Sequence, residues 1–360
     1  MKVVDLLRCA AAQGASDIHV APGSPPLLRI NGSLAPLSNC SAYTADQTQE
    51  FILQLLTEQQ RARLAQDFVV DFSINMDQTR YRGNALVQRN GLEVILRLIP
   101  VQIPGPDELM LPSVLTDLIN SHSGLILMTG PTGSGKSTTL ACLIDLINQQ
   151  RRGNIITIED PIEFVHLNKN CNVSQREIGI HATNFSSALR SVMRQDPDVV
   201  MIGEMRDLDT ISSAITVAET GHLVLATLHS VDCAQAVDRM IDVFEARQQQ
   251  QIRTQLAGVL KAVVTQTLLP RTGGGRVAMR EIMIVTSAIS NMIRSGKTHE
   301  IYTAIEMGAR EGMISSGRAL MELAKNGLID PLETQSRKSR QDFLTPKRRA
   351  TDYMGPPTAA

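Results

Sequence analysis

Leu125-Ile126-Leu127-Met128-Thr129-Gly130-Pro131-Thr132-Gly133-Ser134-Gly135-Lys136-Ser137-Thr138 is the stretch whose reading decides the fold. Its four leading apolar residues predict a short buried strand. Downstream, Leu140, Leu143, Ile144 and Ile147 fall at i, i+3, i+4 and i+7, the spacing of a helix that covers such a strand. Between them, residues 130–137 match G-x-x-x-x-G-K-[ST] in full, in the strand-to-helix setting that a phosphate-cradling P-loop requires. Glycines let the backbone wrap its N–H groups around a phosphate, and the start of the helix adds partial positive charge at the same point. In this reading Lys136 reaches the β and γ phosphates and the Ser137 hydroxyl holds Mg²⁺, so the expected ligands are ATP and Mg²⁺.

Working outward, the same strand-then-helix unit recurs. Apolar strands are expected at 155–158, 199–202 and 223–228, and their helices carry Phe185, Leu189 and Val192, then Ile211, Ala214, Ile215 and Ala218, then Val237, Met240 and Ile241. Four such strands imply an α/β fold with a mainly parallel sheet covered on both faces. After Gln251 the pattern reads as mostly helical, with one strand or hairpin at 276–285. Upstream, helical patterns at the N-terminus and at 44–66 alternate with strand-like runs at 68–74, 79–88 and 92–99, and Asn31-Gly32 predicts a tight hairpin turn. Pro100, Pro104, Pro106 and Pro112 mark a linker. The expected division is a smaller α+β domain over 1–100, a proline-rich linker over 101–113, an ATPase core over 114–335 and a basic tail over 336–360.

Several polar residues sit where this sheet would place them for chemistry. In an open α/β sheet the ligand lies beyond the carboxyl ends of the strands. Glu204 follows Val199-Val200-Met201-Ile202-Gly203, and can hold the Mg²⁺ shell or orient the attacking water; Gly203 occupies the place where many P-loop enzymes carry the Walker B aspartate. Glu159, Asp160 and Glu163 crowd the end of another strand, a set whose mutual repulsion a Mg²⁺-nucleotide would offset, and Glu163 competes with Glu204 for water activation. His222 and His229 bracket the 223–228 strand. His229 falls at the carboxyl end, where an imidazole can sense a γ-phosphate or link the site to the next subunit, whereas His222 could act only from another face or across an interface. Arg80, Arg82 and Arg97, with no acidic neighbour in sequence, are candidates to bring positive charge to the γ-phosphoryl group from a neighbouring subunit or from the sister domain.

Composition excludes other classes. The 360 residues carry 35 basic and 36 acidic side chains, no Trp, 4 Tyr and 7 Phe, which poorly supplies the basic channel and stacking platforms of a nucleic-acid motor. No run of about 18 apolar residues predicts a transmembrane span, and the N-terminus lacks the pattern of a secretory signal, so a cytoplasmic protein is expected. Cys9, Cys40, Cys142, Cys171 and Cys233 are scattered without a C-x-x-C pair, which predicts reduced, structural thiols.

Taken together, Ser16-Asp17-Ile18-His19, the P-loop, Ile158-Glu159-Asp160-Pro161-Ile162-Glu163, Arg194-Gln195-Asp196-Pro197-Asp198 through Gly203-Glu204-Met205-Arg206-Asp207, and Ala218-Glu219-Thr220-Gly221-His222 through His229 resemble the PilT family of type IV pilus retraction ATPases, within the larger group of secretion ATPases. The resemblance implies a PAS-like N-terminal domain joined to a RecA-like core, a homohexameric ring at the cytoplasmic face of the inner membrane, and a platform protein of the pilus as partner, with a paralogous retraction ATPase as a further one. It also implies catalysis and inter-subunit signalling by Glu163, Glu204, His222, His229 and the N-domain arginines. Assembly and type II secretion ATPases share these motifs but usually add an N-terminal domain and a four-cysteine zinc insert, neither of which is found here. Where the retraction family reads A-I-R-N-L-I-R-E, this chain has Ala288-Ile289-Ser290-Asn291-Met292-Ile293-Arg294-Ser295, so two charges are replaced by serines. An accessory subunit with little turnover of its own is the reading that this change keeps open.

Overall fold

The computed structural model describes residues 2–30, 32–76, 79–99 and 102–332. The chain divides into two compact units, one comprising residues 1–103 with 163–165, the other residues 104–162 and those from 166 on. The basic tail expected over 336–360 lies outside the described residues.

The first unit runs α1 (Val3–Ala12), β1 (Asp17–Val20), β2 (Leu27–Ile30), β3 (Ser33–Pro36), α2 (Ala45–Leu55), α3 (Glu58–Asp67), β4 (Val69–Met76), β5 (Thr79–Gln88) and β6 (Gly91–Ile99). Its six strands form one antiparallel sheet in the order β3-β2-β1-β6-β5-β4. Leu6, Leu7, Ile18, Phe51, Ile52, Tyr81 and Leu96 are buried between sheet and helices. The single helical stretch expected over 44–66 is instead two helices. Thr44 with Gln47, and again Thr57 with Gln60, form capping boxes, and the second box starts a new helix after the extended Leu56.

One lateral row of this sheet gathers charge. Register places Arg29 opposite Asp17, Asp17 opposite Arg97, and Arg97 opposite Arg82, on four successive strands. The buried Asp17 carboxylate accepts from Arg97 Nε at 2.8 Å and lies 3.6 Å from Arg29 Nε. Burial pushes its carboxyl up, but the bonds from Arg97 and Ser16 and the charges of Arg97 and Arg29 outweigh this and hold it below the ordinary range. Arg97 therefore has an acidic neighbour after all, supplied by the fold 80 residues away. Arg82 and Arg97 remain exposed.

The second unit contains α4 (Ser113–Leu118), β7 (Gly124–Thr129), α5 (Lys136–Gln150), β8 (Asn154–Glu159), β9 (Asn172–Glu177), α6 (Phe185–Val192), β10 (Val199–Ile202), α7 (Leu208–Glu219), β11 (Leu223–Leu228), α8 (Cys233–Asp242), α9 (Ala246–Val259), β12 (Leu260–Pro270), β13 (Arg276–Ile284), α10 (Ser287–Ser295), α11 (Ile301–Met307) and α12 (Ser316–Lys325). The sheet order is β13-β12-β7-β11-β10-β8-β9, parallel throughout except for the edge strand β13. Alternate residues feed two cores: Leu125, Leu127, Val200, Ile202, Val224 and Ala226 on one face, Ile126, Met128, Val199, Met201, Leu223 and Leu225 on the other.

Two strands were not expected. The region after Gln251 is not mostly helical, because β12 is an eleven-residue strand inserted between β7 and β13. Helix α9 runs into it at Leu260 with no intervening turn, and Gly258 lies within the last turn of the helix, two residues before the change. The other, β9, is a polar edge strand whose sequence NVSQRE lacks an apolar run. Among the described residues no helix is long and apolar enough to cross a membrane. The five cysteines are free thiols, and burial pushes Cys142 up to about 11, well away from reactive thiolate chemistry.

His166 carries a pH consequence. It is buried, Nδ1 has no hydrogen-bond partner among the described residues, and burial lowers its pKa to about 4 despite the opposing charge of Asp145. Between that value and the unfolded 6.5 only the unfolded chain binds the proton, so stability falls as pH drops through this window. Urea unfolding should show wild type losing about 2 kcal/mol more than His166→Gln between pH 7.5 and pH 5; equal losses would refute the assignment.

Candidate nucleotide site

Parallel strands deliver their carboxyl ends to one edge of the sheet. Thr129 of β7 is level with Leu228 of β11, and Ile202 of β10 with both Ala226 of β11 and Ile158 of β8. The next residues of the chain, the P-loop, Glu159-Asp160, Gly203-Glu204 and His229, therefore converge. Thr129 ties the first and last of these together: its hydroxyl accepts from Ser230 N at 2.8 Å and donates to Ser230 O at 3.0 Å. This buried bond fixes the start of the P-loop against the residue following His229.

The loop conformation depends on its glycines. Gly130 has φ 137°, and a Cβ there would lie 2.2 Å from the Gln266 carbonyl oxygen of β12, so any side chain would collide with backbone. Gly135 caps α5 in the left-handed region. Lys136 is buried, and its Nζ donates to the carbonyls of Gly130 and Pro131 at 2.8 and 3.0 Å, which lays the ammonium across the loop. Pro131, Ser137 and Thr138 are half-buried, while Thr132 and Gly133 are exposed. Ser134 Oγ is buried without a hydrogen-bond partner among the described residues, a donor of the kind that a phosphate oxygen satisfies.

Glu204 stands between two bases. Its Oε2 is 2.7 Å from Arg206 Nη2 and its Oε1 is 3.0 Å from His229 Nε2. Burial pushes the carboxyl up, but the Arg206 bond and the charges of His229, Arg206 and Lys136 more than offset it, so Glu204 is held as a carboxylate below the ordinary range. Gly203 has a steric reason to lack a side chain: a Cβ would sit 3.2 Å from Glu159 Cα and from Ile158 O.

The three-carboxylate cluster expected at the end of β8 does not form. Glu159 turns inward, accepting from Thr157 Oγ1 at 2.6 Å and Gln175 Nε2 at 3.0 Å; Asp160 and Glu163 are exposed, and Glu163 groups with the first unit. Among the described residues no group of three His, Cys, Asp or Glu side chains is placed to hold a metal. His222 is also separated from this edge. It lies at the opposite end of β11, roughly 20 Å away at the rise of a strand, with Nδ1 3.1 Å from Thr220 Oγ1 and Val217 O.

The expectations missed Arg206, which stands two residues beyond Glu204 within the quoted motif, and Gln266 and Arg280, which no local pattern marks. A cavity of about 320 Å³ opens beside the first turn of α5, lined by Glu108, Met110, Thr138, Leu268, Arg276 and Arg280 among others.

The model of the type II/IV secretion system protein family matches residues 2–329. The chain belongs to that family. It is 43% identical over 330 residues to the type IV pilus retractation ATPase PilT of Pseudomonas aeruginosa, covering 91% of this chain and 96% of that protein. To the type IV pilus ATPase PilU of the same organism it is 39% identical over 331 residues, covering 91% and 86%. A crystal structure of the pilus retraction motor PilT with bound ADP superposes with a TM-score of 0.88 at 41% identity, over 93% of this chain and 96% of that one.

The packing around Gly203 is testable. Gly203→Asp, which restores the usual Walker B carboxylate, should destabilise the core by roughly 1–3 kcal/mol through overpacking against β8, read as a lowered thermal midpoint. An unchanged midpoint would contradict the close approach.

Proposed function

We propose that this chain is the ATP-hydrolysing subunit of a homohexameric ring motor that drives retraction of a type IV pilus. The observation that carries the hydrolytic reading is the placement of Glu204, a carboxylate between Arg206 and His229, at the strand end beside a P-loop whose lysine is already drawn across it. Likeness to PilT over nearly the whole of both chains supports the retraction reading.

In this function the P-loop amides and Lys136 bind the β and γ phosphates, and Ser134 Oγ gains the acceptor that it lacks among the described residues. The cavity beside Thr138 offers room for the base. Ser137 and Glu204 are the residues that would hold Mg²⁺, and two oxygen donors suit an ion that keeps waters and takes its other ligands from phosphate. When bound, that ion supplies charge neutralisation on the phosphates. Glu204, kept anionic, orients the water and accepts its proton, and His229, within 3.0 Å of the same carboxylate, aligns it. Glu163 is the alternative candidate for water activation, and His222, at the other end of β11, acts across a subunit interface. Arg82 and Arg97, exposed in the row that Asp17 organises, are the cations a neighbouring subunit's γ-phosphoryl group would meet. The ring works at the cytoplasmic face of the inner membrane, on the pilus platform protein and beside a paralogous ATPase.

Lys136→Ala should abolish phosphate release by the purified protein, and Glu204→Ala should still bind ATP while turnover falls by at least about a hundredfold; normal turnover in either would defeat the site assignment. In the cell, deletion of the gene should leave excess surface pili. Loss of pili would instead indicate an assembly motor, and unchanged piliation with little turnover of the purified chain an accessory subunit.

A further inference from the structure

Arg280, on the edge strand β13, is a charged side chain only 5% exposed, and among the described residues no carboxylate pairs with it. Burying a guanidinium without a counter-ion is costly unless its donors are met by fixed acceptors. Its acceptors are unusual in where they lead. Nε donates to Gln266 Oε1 at 2.8 Å, Nη1 to the Met110 carbonyl at 3.2 Å and Nη2 to the Leu109 carbonyl at 3.1 Å. Gln266, 1% exposed on β12, accepts a second bond on the same Oε1 from Thr139 Oγ1 at 2.9 Å. Two donors on one oxygen fix the amide in a single orientation, with Nε2 facing the P-loop, where it donates to the Ser134 carbonyl at 2.7 Å.

We propose that Arg280 is a positioning residue for nucleotide binding, acting through Gln266 to hold the P-loop backbone at Ser134 while anchoring that clamp to residues 109 and 110. The Ser134 carbonyl is turned back into the protein by this bond, so the Gly135 N–H, opposed to it across the same trans peptide, is directed the other way, as a loop that cradles phosphate requires. A neutral side chain at 280 would leave Gln266 one donor short, and its amide could rotate to present oxygen to the Ser134 carbonyl, a repulsive contact. The P-loop contacts phosphate in ground and transition states alike, so loosening it weakens binding more than it slows chemistry.

This proposal rests on the phosphate placement given above, and the two fail differently. Normal turnover by Lys136→Ala would remove that placement, whereas an inactive Lys136→Ala beside an unaffected Arg280→Met would remove only the present proposal. In steady-state assays on the full chain, Arg280→Met should raise KM for MgATP by roughly tenfold, the worth of one lost charged hydrogen bond, with kcat within about twofold. Competitive inhibition by tripolyphosphate, which has the phosphates and no base, should weaken by the same factor. A raised KM with unchanged tripolyphosphate inhibition would make Arg280 merely a wall of the adjoining cavity and would overturn the proposal, as would a fall in kcat alone. Gln266→Met should give the same split, and the double variant should be no worse than the poorer single; additive losses would mean that the two residues act independently. If Arg280→Met does not fold, Arg280→Lys keeps a buried cation with fewer donors and should show the same parallel shift, smaller in size. Its absence there would likewise refute the clamp.

Discussion

Everything at the nucleotide edge follows from parallel pairing. Because β7, β11, β10 and β8 run the same way and in level register, four loops leave the sheet within reach of one another, and none can be satisfied by continuing the ladder. Their polar groups must find partners among themselves. Thr129 takes Ser230, Glu204 takes Arg206 and His229, Glu159 takes Thr157 and Gln175. These bonds hold the ends in place before any ligand arrives, so the protein need not reorganise its backbone to meet a phosphate. The apolar alternation beneath them, with two cores pressed on opposite faces, supplies the rigidity that such a preset edge demands.

The strands carrying this edge were legible because each is a run of four to six apolar residues set off by turn residues, and a fully buried parallel strand has no other way to look. The positions of the candidate side chains at their ends were legible for the same reason: once the strand is placed, Glu204 and His229 must emerge at its carboxyl end and His222 at the other. What could not be read was anything fixed by distant pairing. Gln266 reaches a P-loop carbonyl 132 residues away, and Arg280 reaches Leu109 across 171. Strand β12 was hidden because α9 passes into it without a turn, so that the isolated Gly258 gave little sign of the change, and β9 because an edge strand can be polar. Glu159, Asp160 and Glu163 are close in sequence but differ in setting, because β8 ends at Glu159, which turns in to Thr157 and Gln175, while Asp160 and Glu163 follow in irregular, exposed backbone.

The first unit repeats that lesson in an antiparallel setting. Three arginines that look unrelated in sequence, Arg29, Arg82 and Arg97, fall in one row because register alone aligns them, and the buried Asp17, between Arg29 and Arg97, offsets part of their repulsion. Farther along, Ser290, which replaces an arginine of the family pattern, donates to the Ala257 carbonyl at 2.6 Å and so serves packing between α10 and α9.

Gly203 leaves the mouth of the P-loop with fewer negative charges than a site built around an aspartate would have. Lys136 and Arg206 there meet the carboxylate of Glu204, Arg206 also feels the charge of Asp160, and Gly203 adds no further acid to that balance. A polyanion approaching the strand ends therefore meets less repulsion than an aspartate at 203 would impose, and the steric economy of one missing side chain is felt by the substrate before it makes contact.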